Sequence, residues 1–156
     1  MNKREHILAE FEKSREQMRA IVAKAGSHQT IYPRWTMKEV LDHLSGWDDA
    51  VISVLKAHIS GVAEDMPSVH GIDAYNAETV STREALPYEH SLREWEASRE
   101  ALKKMILEIS DEKMEEIFQF PWGGSGNVAG MLKIFYDHEE EHAEEISGII
   151  GKGKTP

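Results

Sequence analysis

The chain has 156 residues, a formal net charge of −10 and no cysteine. Its length suits a single domain spanning 1–156, and the missing cysteine excludes a disulfide framework, a thiolate metal site and a cysteine nucleophile. The acidic balance predicts no nucleic-acid partner, because phosphate binding needs clustered Lys and Arg, and no anionic membrane surface as partner.

Residues 1–6 enter a charged helical pattern with no apolar run before it, so no signal peptide is expected. Nowhere does the chain approach the roughly 18 consecutive apolar residues of a membrane span, and a cytoplasmic location is expected. The first helix is predicted over about 3–25, with Ile7, Phe11, Met18, Ile21 and Val22 on one stripe and Gly26 as its stop. A second opens at Thr36-Met37-Lys38-Glu39, which has capping-box spacing. Its stripe is Val40, Leu44, Trp47, Val51, Leu55 and His58, ending near Gly61. Residues 61–87 form a long connection punctuated by Pro67, Gly71 and Pro87, with a short helix at 72–80. The third long helix spans about 88–109, turning Leu92, Trp95, Leu102, Met105 and Ile109 inward, and Ser110 caps a brief turn ending at Phe118. Residues 121–126 are expected to be a flexible loop, Asn127 to cap a fourth long helix reaching Ile150, and 151–156 to be a flexible tail. No strand alternation stands out. Four long amphipathic helices with a long crossover between helices two and three predict an all-α four-helix bundle.

The last helix holds the chemistry. Val128, Met131, Phe135, Ile146 and Ile149 fall on one stripe, and His138 and His142 land inside it. Imidazoles at i and i+4 are roughly 6 Å apart on one helix face, a spacing that suits chelation of one ion; two hydrogen-bonded core histidines are the structural alternative. A third ligand has to come from another element. His43 lies at the edge of the helix-two stripe, and His58 lies roughly 22 Å further along, so the two cannot serve one metal. His58 suits a partner for the C-terminal dipole of its own helix. His6, His28, His70 and His90 lie near termini or in loops and are expected at the surface. Most carboxylates of the run 137–145 form a solvated face, while Glu139 and Glu145 lie nearest the histidines and suit orienting a ligand imidazole, with a fourth ligand as the alternative role.

The segment Trp35-Thr36-Met37-Lys38-Glu39-Val40-Leu41-Asp42-His43-Leu44-Ser45-Gly46-Trp47 resembles the helix-two signature of the DinB/YfiT-like superfamily. Asp137-His138-Glu139-Glu140-Glu141-His142 is similar to the H-x-x-x-H of that family's last helix. The resemblance spans nearly the whole chain and implies an up-down-down-up bundle with a three-histidine metal site. Carried over by position, it implies His43 as the helix-two ligand beside His138 and His142.

Three neutral imidazoles leave an ion open positions, the arrangement of a catalytic site, and they suit a divalent metal such as zinc or nickel. A substrate pocket is expected at the ion, walled by Trp47, Phe135 and Trp122. Characterised relatives imply a metal-dependent enzyme, a thiol S-transferase or a hydrolase, acting on a small electrophilic substrate. A low-molecular-weight thiol cosubstrate would be supplied from outside, since the chain has no cysteine. The alternative is a non-catalytic metal- or small-molecule-binding stress-response protein. The family's self-resistance proteins are a third direction, from which the histidine triad points away. Related bundles are often dimers, so the resemblance implies a homodimer as one assembly, with the exposed edge of the first helix available as its interface.

Overall fold

Asn2 opens the first helix by a reciprocal bond: its side chain accepts from the Glu5 N–H at 2.8 Å, and Glu5 accepts from the Asn2 N–H at 3.2 Å. In this computed structural model, which describes residues 2–62, 67, 68 and 70–153, that helix is α1 (Lys3–Lys24). There follow β1 (Thr30–Tyr32), β2 (Trp35–Thr36), α2 (Met37–Ser60), α3 (Ile72–Ser81), α4 (Tyr88–Glu108), α5 (Asp111–Glu115), β3 (Phe118–Gln119), β4 (Ser125–Gly126) and α6 (Val128–Gly153). The four long helices lie where the periodicity places them. α6 runs three residues beyond Ile150, so the expected tail is helical to Gly153, and 154–156 lie outside the described residues.

The strands are an addition to the sequence reading. β1 pairs with β2 and β3 with β4, each antiparallel, in two separate two-stranded ribbons. They are too short to show the alternation that marks a strand in sequence. The segment 121–126 expected as a loop is the tip and return of the second ribbon, where Gly123 and Gly124 take positive φ of 102° and 85°. The expected capping box at Thr36 forms by half. Glu39 accepts from the Thr36 N–H at 3.1 Å, but the Thr36 hydroxyl also donates to that carboxylate, at 3.0 Å, instead of capping the helix.

The described residues gather into two compact units. One comprises the chain up to Val40 together with Leu132 onward, and the other Leu41–Met131. In the first, α1 meets α6 through Phe11, whose ring packs edge-on against Phe135 (6.2 Å) and Tyr136 (5.5 Å). In the second, residues 41–48 of α2 are buried on every side. A helix enclosed all round must satisfy its polar side chains internally. Asp42 accepts from Ser91 Oγ at 2.6 Å, and Asp48 binds Arg99 through Nε and Nη2, both at 3.1 Å. Gly46 allows α3 to approach α2: a Cβ there would overlap the side chain of Thr79, while Tyr75 donates its hydroxyl to the Gly46 carbonyl at 2.7 Å.

Candidate functional site

Along α6 the buried line is Val128, Met131, Leu132, Phe135, Glu139, Ala143, Ile146 and Ile150. It passes through Glu139 and Ala143, not through His138 and His142. The face is therefore rotated by about one residue from the expected stripe, and the histidines lie at its edge, His138 exposed and His142 half-buried. The reason is a partner supplied by α1. Arg15, 1% exposed, donates from Nε to Glu139 Oε1 at 2.9 Å, which lets a carboxylate occupy the middle of an apolar stripe. Glu139, expected beside the histidines as an orienting group, is thus tied to Arg15.

The two imidazoles are close neighbours, with ring centroids 4.4 Å apart and planes at 78°. Although His138 is exposed as a residue, partial withdrawal of its imidazole from water pushes its pKa below the ordinary value, against the pull of Glu141, Glu139 and Glu145. The same withdrawal, reinforced by His138, takes His142 down to about 4. Both rings are therefore neutral at pH 7, the state in which imidazole ligates a metal. Beyond the pair, Tyr32 Oη stands 2.9 Å from His142 Nδ1, with the rings edge to face at 6.1 Å. The Tyr32 phenol is held well above its usual pKa, by burial first and then by its hydrogen bond to Glu145 and the charge of that carboxylate.

His43 is buried, 4% exposed, in the enclosed stretch of α2 and within the second unit. One turn on, Trp47 donates Nε1–H to Asn76 Oδ1 at 2.6 Å. Its ring meets Tyr75 edge-on at 4.8 Å and Trp122 at 6.3 Å, so two of the three expected pocket aromatics come together in this unit. Phe135, the third, belongs to the first unit and packs on Phe11. His58 lies in the last turn of α2, as expected, and does more there: its Nε2 lies 2.8 Å from the Lys113 carbonyl and its ring stacks on Phe118 at 4.3 Å, so it braces α5 and β3. His6, His28 and His70 are exposed and His90 partly so, as expected. Among the described residues, no three His, Asp or Glu side chains converge closely enough to hold a metal ion. The donor chemistry of His138 and His142 fits a metal as a two-point chelate, and among the described residues no third His, Asp or Glu joins them in a group that could hold an ion.

The sequence reading missed Tyr32. It sits in a strand too short to be legible, 110 positions before the ring it touches. It also missed the charges inside the core. For these a signal existed: Arg15 stands one turn from Phe11 and Met18, and Arg99 one turn from Trp95 and Leu102, each in the line of its own apolar stripe.

Residues 7–134 match the family model of the mycothiol maleylpyruvate isomerase N-terminal domain. The chain belongs to this family. Among solved structures it resembles the colibactin self-resistance protein ClbS in complex with a dsDNA, with a TM-score of 0.77, 11% identity and 94% of each chain covered. It also resembles DfsB, a sibling lethal factor precursor, with a TM-score of 0.73, 12% identity and 99% of this chain and 96% of that one covered. No curated protein matches the sequence. Family and neighbours place the chain in the DinB-like/YfiT-like class of all-α helical bundles that its helix pattern predicts.

One expectation is overturned. A structure of this fold is held on double-stranded DNA, so the acidic balance does not support the expected absence of a nucleic-acid partner. Net charge averages the whole surface, whereas a duplex meets one face, and the local placement of Lys and Arg decides the encounter. As for membranes, no helix among the described residues is long and apolar enough to cross one.

Proposed function

We propose that the chain is a divalent-metal-binding protein in which His138 and His142 supply two ligands, and that it acts as a metal-dependent enzyme on a small electrophilic substrate. The observation that carries this is the pair itself: two imidazoles one helical turn apart, 4.4 Å between centroids, both held neutral at pH 7. The family signature nominates His43 as third ligand, and that assignment rests on the resemblance alone. Imidazole donors suit zinc or nickel. Bound there, a divalent ion supplies Lewis-acid chemistry, which lowers the pKa of a thiol or a water.

The family's name favours the thiol branch over the hydrolase branch, since it describes a mycothiol-dependent isomerase. A low-molecular-weight thiol then serves as cosubstrate, and the chain's own residues bind and orient. Trp47 and Trp122 give an apolar aromatic surface in one unit, with Trp47 fixed by Asn76. In the other, Arg15 holds the rotation of α6 through Glu139 and so sets where the histidine pair emerges. A cytoplasmic site of action, where such thiols are kept reduced, belongs to the same proposal.

Metal analysis of the purified protein and of His138→Ala, His142→Ala and His43→Ala tests the site. Loss of zinc and nickel uptake in the first two supports the chelate, and loss in the third supports the resemblance. Full metal content in His142→Ala would sink the ligand assignment. Turnover of an electrophile with a panel of small thiols, compared between metal-loaded and metal-free protein, tests the activity. Retained metal without any turnover would favour a non-catalytic binding protein, and a duplex-DNA titration belongs in the same panel because ClbS is held on DNA.

A further inference from the structure

We propose that the outer face of α4 is a two-fold interface on which a second copy of this chain docks antiparallel. Arg93 then meets Glu100 of the partner, and Glu89 meets Lys104 of the partner. The proposal is independent of the metal reading, since it uses no group of the histidine site.

α4 turns Ser91, Trp95, Ser98, Arg99, Leu102 and Ile106 inward. At about 100° per residue, Glu89, Arg93, Ala97, Glu100, Lys104 and Leu107 fall on one stripe on the opposite side, and all six are exposed. A shallow recess of about 480 Å³ opens on this surface, lined by Leu92, Arg93, Glu96, Ala97 and Glu100. Its middle is an alanine between longer side chains, which leaves room for an approaching helix. Two large apolar side chains stand in water at the ends of the face. Leu107 is 61% exposed, and Leu86, just ahead of the N-cap Pro87, is 38% exposed.

The order of charges decides what fits there. Along the stripe the signs run negative at Glu89, positive at Arg93, negative at Glu100 and positive at Lys104. A two-fold axis at the midpoint between Glu96 and Ala97 exchanges Arg93 with Glu100 and Glu89 with Lys104. Every charge of the stripe therefore meets its opposite, and the symmetry forms each pair twice. The same rotation carries Leu107 to the end where Leu86 of the partner lies. A parallel arrangement would instead set like charge on like. These charges are also available. Among the described residues Glu89, Arg93 and Lys104 form no ion pair, although Glu89–Arg93 and Glu100–Lys104 stand at the i,i+4 spacing that suits pairing along one helix. Glu100 meets Lys103 through Oε1 alone, at 3.2 Å. On α1, by contrast, Arg19 is taken by Glu12 and Glu16, and Lys13 lies against Glu140.

Sedimentation equilibrium of the full chain over a concentration series tests the interface. The wild type should dimerise, less strongly as salt is raised, because the pairs stand at the surface. Arg93→Glu and Glu100→Arg each turn two attractive contacts repulsive and should weaken the dimer about tenfold or more. An equimolar mixture of the two variants should regain wild-type strength. In that heterodimer the two changed side chains face each other as an opposite pair, and so do the two unchanged ones. Far-UV circular dichroism of both variants should match the wild type, since the changes lie on an exposed helix face. A wild type that stays monomeric throughout the series would overturn the proposal. So would a dimer unmoved by either variant, which would place the contact elsewhere, such as the edge of α1. Folded variants that fail to associate on mixing would overturn the antiparallel register.

Discussion

In the unit built around α2 and α4, Arg99 grips Asp48 with two nitrogens, Ser98 Oγ lies 3.4 Å from the same carboxylate, and apolar Trp95 and Leu102 flank the arginine on its own helix. In the unit built from α1 and α6, Arg15 meets Glu139 through Nε, and the residues on either side of that carboxylate's turn are His138 and His142. Both pairs are sealed from water, each group being 2% exposed or less. The first has Ser98, Trp95 and Leu102 beside it and serves to register two helices. The second sets the rotation of a helix whose edge carries two neutral imidazoles, so disturbing it disturbs the candidate site. Burial of an ion pair is common to both, and the neighbours decide what it is for.

The largest effects should come from unpairing either carboxylate. Arg99→Met and Arg15→Met each leave a buried charge uncompensated, and each should cost about 3–5 kcal/mol in urea unfolding. Arg99→Met combined with Asp48→Leu should recover most of the loss, because an apolar replacement of similar volume removes the stranded charge. The comparison is sharpened by zinc titration under folding conditions: Arg15→Met should weaken binding and Arg99→Met should not. Equal weakening by both would show that the two pairs do the same work.

A smaller effect is expected where α3 approaches α2. Gly46→Ala gains helix propensity, but its Cβ would overlap Thr79, and a net cost of about 1–3 kcal/mol is expected. Thr79→Gly in the same background removes the overlap, so a double-mutant cycle should give a coupling above about 1 kcal/mol. Zinc affinity should not follow this stability change.

The sequence made the four long helices legible because their apolar residues recur at helical period over twenty or more positions. It made their exact faces less legible. In α4 the buried line runs through Ser91, Ser98 and Arg99, where the apolar residues alone point to Leu92 and Met105, and in α6 it runs through Glu139. Each of these polar residues is buried because a partner arrives from far along the chain, Arg15 being 124 positions from Glu139 and Arg99 51 from Asp48. Local period cannot see such a partner. The histidine pair was legible from its spacing, whereas Tyr32 was not, since nothing within β1 points to α6.

The cap of α6 separates stability from site in another way. Asn127 Oδ1 accepts the Gly130 N–H at 2.9 Å, and Asn127→Ala should cost about 1 kcal/mol. Calorimetry should show the lower melting temperature while zinc affinity stays unchanged, because the lost bond lies about three turns from His138. A parallel loss of affinity would mean that fraying at the N-terminus reaches the histidines.

The smallest effect is a pH dependence that belongs to the first unit. His142 has a folded pKa of about 4 against an ordinary 6.5, so between those values the unfolded chain binds a proton that the folded one refuses. More protons on the unfolded state means that stability falls as pH falls, beginning near 6.5 and ending near 4; above 6.5 the ring is neutral in both states and adds no slope. His138 is shifted the same way and should add to the same window. His142→Gln keeps a neutral polar side chain at every pH and should flatten the unfolding free energy through this range, by less than one proton's slope since the ring is only half-buried. Added zinc should steepen the wild-type curve in the same interval, because the ligand form is the one that acid removes, and should leave the curve of His142→Gln nearly unmoved. An identical acid profile in wild type and variant would place the titrating groups elsewhere and remove the electrostatic half of the contrast between the units.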